Sequence, residues 1–345
     1  MTNIELPFDE HPIVCQYLNN TIILGIIQAN AEKRKKDITP WICSKFINCS
    51  YLAKNTNARF SVQVFDGDAT NDGKIKCVPF CIEREHVVIY NGERIFDFFE
   101  DLISSGYYIT GIFNERYIPK MSAYGRYDFP HTYLLYGFDK TNKTFYSAGF
   151  LKNNQYEKYN IHYNDFYKSM CETTQNGIHV DALKYDESAD YIVNYPRVIQ
   201  VFEDYINSEN NMRSGYPKEE LFGLDALRAL TRYYSEWMLN DSDRFDIRYT
   251  RGLADSKRVT ALAIRYLFEY FDLPGIDYAK SAEQVSKYAS LIHNLGMKYN
   301  LTGNKNGLSM VSEYFDEIIE IEKSYIPMVL KDLKSIESFP EGTYH

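Results

Sequence analysis

The stretch His131–Phe150, HTYLLYGFDKTNKTFYSAGF, decides the fold. Both alternating faces of His131–Phe138 are largely apolar, the pattern of a strand covered on both sides. A polar turn follows, and Thr144–Ala148 resumes the strand pattern. A histidine therefore opens a covered hairpin, and its meaning depends on what the flanking chain supplies.

Just upstream, Tyr107–Phe113 reads as a strand. It is joined to the hairpin by Asn114–Pro130, a long loop containing Tyr, Gly and Pro, and loops of this length inside a domain are often functional. Glu93–Ser104 has helical periodicity through Ile95, Phe98, Phe99, Leu102 and Ile103. Arg59–Phe65 and Lys76–Ile82 are rich in strand formers, and Ser44–Lys54 reads as a helix. From Cys15 to about Lys36, the apolar residues Leu18, Ile22, Ile23, Ile26 and Ile27 recur at helical spacing. Pro12 precedes that helix and the basic run Lys33–Lys36 closes it. Downstream, Asn164–Cys171 is a short helix. From about Asp190 the pattern is almost wholly helical, with candidates Glu219–Leu239, Asp255–Tyr270, Ser281–Tyr299 and Ser309–Leu330. Helix, mixed sheet and appended helical bundle make an α+β chain. The expected domains are 1–185 and 186–345.

Composition narrows the function. Net charge is −9 with no basic block beyond Lys33–Lys36, which disfavours nucleic acid as a partner. The longest strongly apolar run, Ile22–Ile27, is far short of a membrane span. The opening residues lack a signal-peptide pattern, so a cytoplasmic setting is expected. None of the six cysteines has C-x-x-C spacing. Cys77 and Cys81 flank a strand-like triplet, poor geometry for a metal, and no metal is expected. Tyrosine is abundant, which suits partly wet clefts as well as cores.

Two residues carry the chemistry. Cys15 is the first residue of the expected N-terminal helix, where the helix dipole stabilises a thiolate. The competing reading is a small buried hydrophobe. His131 is a candidate base, against the plainer reading of a structural histidine. An early helix-opening Cys followed by a strand-opening His is the chain order of papain-like folds.

The segment from Tyr107 to Phe150, with NERYIPKMSAYGRYDFP leading into HTYLLYGFD and FYSAGF, resembles the cysteine acyltransferase family of butirosin biosynthesis protein H. It is more distantly similar to bacteriocin-processing C39 peptidases. Upstream, PFDEHPIVCQYLNNTIILGII is similar to that family's nucleophile helix, and GLDAL with DIRYTRGLADSKRVTALAIRYL resembles its C-terminal helices. The resemblance implies a papain-like cysteine-protease fold, a nucleophile helix packed on an antiparallel sheet. It implies an acyl-enzyme on Cys15, formed from an acyl or peptidyl group on a phosphopantetheinyl carrier protein. Transfer to a small amine then gives an amide, in natural-product biosynthesis, with no further cofactor. One subtype is the closthioamide polyamide synthetase type. Rival readings are a cysteine peptidase and a non-catalytic binding protein of the same fold.

The chain departs from the family at two points. An Asp commonly follows the second strand and orients the His, but here the position holds Gly149. Asp139 lies about 25 Å along an extended strand from His131, too far to substitute. Asn153 or Asn154 could serve, or the pair could act as a dyad. Papain-like proteases also carry a Gln several residues before the Cys, where this chain has Phe8, Asp9, Glu10 and His11. Gln16 and Asn19 are then candidates for oxyanion support, with Asn19 on the helical face of Cys15. Tyr117, Tyr124 and Tyr127 are expected to line the cleft from the loop before His131.

Overall fold

The hairpin is present and lies inside a larger sheet. The structure is a computed structural model and describes residues 2–54, 57–62, 82–89, 94–152, 155–171, 178–211, 215, 217–239, 244–274, 276–340 and 343–344. In chain order come β1 (Asn3–Glu5), α1 (Leu18–Lys33), α2 (Thr39–Ile42), β2 (Cys49–Lys54), β3 (Asn57–Val62), β4 (Ile82–Ile89), α3 (Ile95–Ser104) and β5 (Tyr107–Asn114). A single 3-10 turn, Glu115–Tyr117, precedes β6 (Pro130–Asp139), β7 (Thr144–Phe150), β8 (Tyr156–His162), α4 (Tyr163–Cys171) and β9 (Ile178–Tyr185). Then follow β10 (Val193–Asn194), α5 (Tyr195–Asn207), β11 (Leu221–Phe222), α6 (Gly223–Leu239), α7 (Ile247–Tyr270), α8 (Ile276–Thr302), α9 (Met310–Lys334) and β12 (Thr343–Tyr344).

The chain forms two compact units, Met1–Lys36 with Val78–Asp190, and Asp37–Cys77 with Tyr191–His345. The expected contiguous division at 185 and 186 differs from this by five residues at the boundary and in one early segment, 37–77. The cause is strand pairing: β2 sits between β3 and β11, with Tyr51 opposite Leu221.

In the first unit an antiparallel sheet runs in the order β4-β9-β5-β6-β7-β8, with β1 added on β6. Side chains alternate between its faces. Ile109, Phe113, Tyr133 and Leu135 pack against α3 and α4 through Phe99, Ile103, Phe166 and Met170. The other face meets α1, where the Asn30 amide donates to the Tyr108 hydroxyl at 2.9 Å. Burial of each large apolar side chain contributes roughly 1.5–3 kcal/mol, so this two-sided sheet is the main source of the unit's stability.

In the second unit α7 packs on α8, α8 on α9, and α9 on α5 and α6. Its interior holds a charge. The Lys257 ammonium on α7 donates to Glu322 Oε2 of α9 at 3.0 Å and to the Tyr205 hydroxyl of α5 at 2.6 Å. Both ionic side chains are at most 1% exposed.

Several expected boundaries move. The first helix begins at Leu18, not Cys15. No helix forms over Ser44–Lys54: residues 44–48 are turn and bend, and β2 takes the second half. There the Asn48 side chain accepts from Cys49 N at 2.8 Å and Gly223 N at 3.1 Å, tying the chain to the strand beside it. Residues 76–81 lie outside the described residues. Strands β8 and β9 and helix α5 were not anticipated. Among the described residues, no helix is long and apolar enough to cross a membrane.

Candidate functional site

His131 faces Phe113 across the β5–β6 pair. The loop between these strands is closed at its base by Asn114. Its amide donates to Asp128 Oδ1 at 2.9 Å, while its oxygen accepts from Arg116 N at 3.1 Å and Phe129 N at 3.0 Å. Hydrogen bonds from Asn114 and Arg116 hold the Asp128 carboxyl below its ordinary pKa. The next residue, Glu115, donates its N–H to the Phe129 carbonyl at 3.0 Å.

This clasp presents the Glu115 carboxylate to His131, with Oε1 2.7 Å from Nδ1. Glu115 is 8% exposed and the His131 side chain 36%. A ring nitrogen held by a buried carboxylate fixes the tautomer, so Nδ1–H donates and Nε2 is left to exchange protons. Sequence reasoning missed Glu115. The usable signal was register: strands pairing Phe113 with His131 bring the residue just past β5 beside the histidine.

Gly149 is accounted for by packing. A Cβ there would lie 3.2 Å from Met121 Cε and 3.5 Å from Tyr159 Cε1. The Tyr159 hydroxyl sits beside Ser147 and in the field of Glu115. The space for an Asp is filled, and a carboxylate arrives from the β5 side of β6 instead. Asn153 and Asn154 lie outside the described residues.

Cys15 is buried but is not part of α1. The helix is preceded by Tyr17 in extended conformation (φ −122°, ψ 144°). Val14, Cys15 and Gln16 are not capping residues, and the backbone before them is committed elsewhere. Asp9 N donates to the Gly25 carbonyl at 3.1 Å. Gln28 donates to Asp9 Oδ2 at 3.0 Å and accepts from Ile13 N at 2.6 Å. The Glu10 carboxylate accepts from Lys158 N at 2.8 Å. The segment before Cys15 is thus laced to the middle of α1 and to β8. Since residues 15 and 16 precede the helix, the helical-face relation expected for Gln16 and Asn19 does not hold. Gln16 is buried and Asn19 half-buried.

Cys15 lies close enough to Tyr156 that a thiolate would act on the phenol. Strand β6 starts, β7 ends and β8 starts at one end of the sheet, so Tyr156 and His131 share that end. Alternation sends Tyr156 to the α1 face and His131 to the α3–α4 face. The structure therefore brings together His131 with Glu115, and Cys15 with Tyr156, as two pairs flanking the open end of the sheet.

The other described thiols are poor nucleophiles. Burial pushes Cys43 far above its ordinary pKa and Cys49 up to about 12. Cys77 and Cys81 lie outside the described residues.

Of the expected cleft residues, Tyr117 is half-buried, while Tyr124 and Tyr127 are exposed. Tyr127 meets Phe129 at 6.3 Å between ring centroids, and Phe129 meets His131 at 5.3 Å. This track adds Phe129, which the sequence did not single out. Lys152 lies over Tyr124 and Arg126 over Tyr127. No protein-family model matches this chain, and no curated protein matches it.

Proposed function

We propose that the protein is a cysteine acyltransferase with a papain-like core, using Cys15 as nucleophile, His131 as base and Glu115 as the group that orients it. The observation carrying this reading is the 2.7 Å contact between His131 Nδ1 and the buried Glu115 carboxylate. It supplies the third member that Gly149 lacks.

In this reading His131 Nε2 takes the Cys15 proton, and the thiolate attacks the carbonyl of an acyl thioester borne on a carrier protein. The new S–C bond forms, and the carbonyl pair moves onto oxygen. Collapse of that oxyanion expels the carrier thiolate, which takes a proton. An amine then attacks the acyl-enzyme, loses a proton to His131 and leaves as an amide, regenerating the Cys15 thiol. Thioester to amide is downhill, so no nucleotide is consumed. If water takes the amine's place, the same site is a hydrolase.

The test is intact mass after incubation with the hexanoyl thioester of N-acetylcysteamine. One hexanoyl group is expected on the wild type and none on Cys15→Ala. Later addition of an alkylamine is expected to release hexanoyl amide rather than hexanoic acid. A mass gain that persists in Cys15→Ala would sink the assignment. The placement of the two pairs on different faces favours one alternative, a non-catalytic binding protein. In that case Cys15 reacts with iodoacetamide no faster than a free model thiol at neutral pH.

A further inference from the structure

The hydroxyl of Tyr156 has no hydrogen-bond partner among the described residues, although the side chain is only 6% exposed. Leaving a buried donor unsatisfied costs about 1–3 kcal/mol, so such a group invites a reason. Its surroundings are apolar on two sides: Phe150 packs on the ring at 5.2 Å and Phe8 at 6.4 Å. Strand β8 aims it to the α1 face, where the laced segment Asp9–Ile13 delivers Cys15. Burial first, and then the charge of Cys15, keep the phenol protonated far above its ordinary range. It is a donor at any working pH, held beside a thiol, with no acceptor for it among the described residues.

We propose that the Tyr156 hydroxyl is the side-chain donor to the oxyanion that forms when Cys15 attacks an acyl carbonyl. The role deepens the acyltransferase reading and rests on Cys15 being the nucleophile. It fills the place left by the missing upstream Gln. A pre-positioned donor in a water-poor site gains strength as charge develops on the carbonyl oxygen, and it does not need to reorganise. No proton is transferred: the phenol keeps its hydrogen, the carbonyl electron pair is stabilised on oxygen, and the pair returns when the leaving group departs.

The test compares two reactions of Cys15 in the full chain. Iodoacetamide alkylation needs a thiolate but forms no oxyanion, whereas p-nitrophenyl acetate acylates through one. Tyr156→Phe is expected to alkylate within about twofold of the wild-type rate, with its nitrophenolate burst slowed at least about 100-fold. Its urea midpoint is expected to equal or exceed that of the wild type, because an unpartnered polar atom has been removed. Tyr156→Met, also without a donor, is expected to lose the burst in the same way should the Phe variant pack poorly. A burst in Tyr156→Phe within threefold of the wild type overturns the inference and leaves Cys15 as nucleophile. A wild type that shows neither burst nor alkylation mapped to Cys15 overturns the nucleophile assignment, and the inference with it.

Discussion

At the scale of single residues, Glu115 sets a carboxylate beside His131 and Gly149 leaves no room for one on β7. An acid on β7 would need room that Met121 and Tyr159 occupy, while the turn after β5 offers a carboxylate already anchored through its own N–H. Glu115→Gln keeps the shape and removes the charge. It is expected to slow acyl transfer by about 10²–10⁴-fold, as loss of a histidine's orienting acid does elsewhere, with little change in KM. Retention of more than half the wild-type kcat would argue that the contact is only structural. His131 and its strand were legible in the sequence because both faces of the strand are apolar. Glu115 was not, because its role depends on register between strands sixteen residues apart, and a single polar residue in a loop carries no periodic signal.

At the scale of elements, the buried Lys257, Glu322 and Tyr205 tie together α7, α9 and α5. Helix periodicity revealed α7 and α9 but neither α5 nor the polar centre, since a Lys and a Glu on amphipathic helices read by default as surface residues. Removing one charge leaves its partner buried and unpaired, so Lys257→Met is expected to destabilise this unit by about 3–5 kcal/mol. Lys257→Met with Glu322→Leu is expected to cost less than Lys257→Met alone. Urea denaturation of the three proteins checks the order, and a double variant less stable than the single one would overturn it. Element type was misread where short apolar runs serve either structure: Ser44–Lys54 fits a helix by spacing, but pairing with β3 and β11 makes its second half a strand.

At the scale of the whole chain, the second unit is discontinuous in sequence. Segment 37–77 contributes the buried side chains of Ile42, Phe46, Ile47, Tyr51, Phe60 and Val62. At roughly 2 kcal/mol each they contribute about 12 kcal/mol, comparable to the entire net stability of a typical domain. A polypeptide of residues 186–345 alone is therefore expected to show no cooperative urea transition. Cooperative unfolding at the full-length midpoint would show that 37–77 is dispensable to that unit. The composition shift near residue 190 was visible in the sequence; the return of an early segment to a late unit was not, because nothing local marks a non-local strand partner.

The lacing of Asp9–Ile13 onto Gly25 and Gln28 has a mechanical consequence. Helices fray from their ends, and the first turn is the least persistent part. Cys15 sits next to that turn in sequence, yet the segment before it is pinned two and three turns further in, through Asp9 and Ile13, where Gly25 admits the Asp9 carbonyl to within 2.5 Å of where a Cβ would stand. The approach to the thiol is thus set from the middle of α1 rather than from the helix end that Cys15 adjoins.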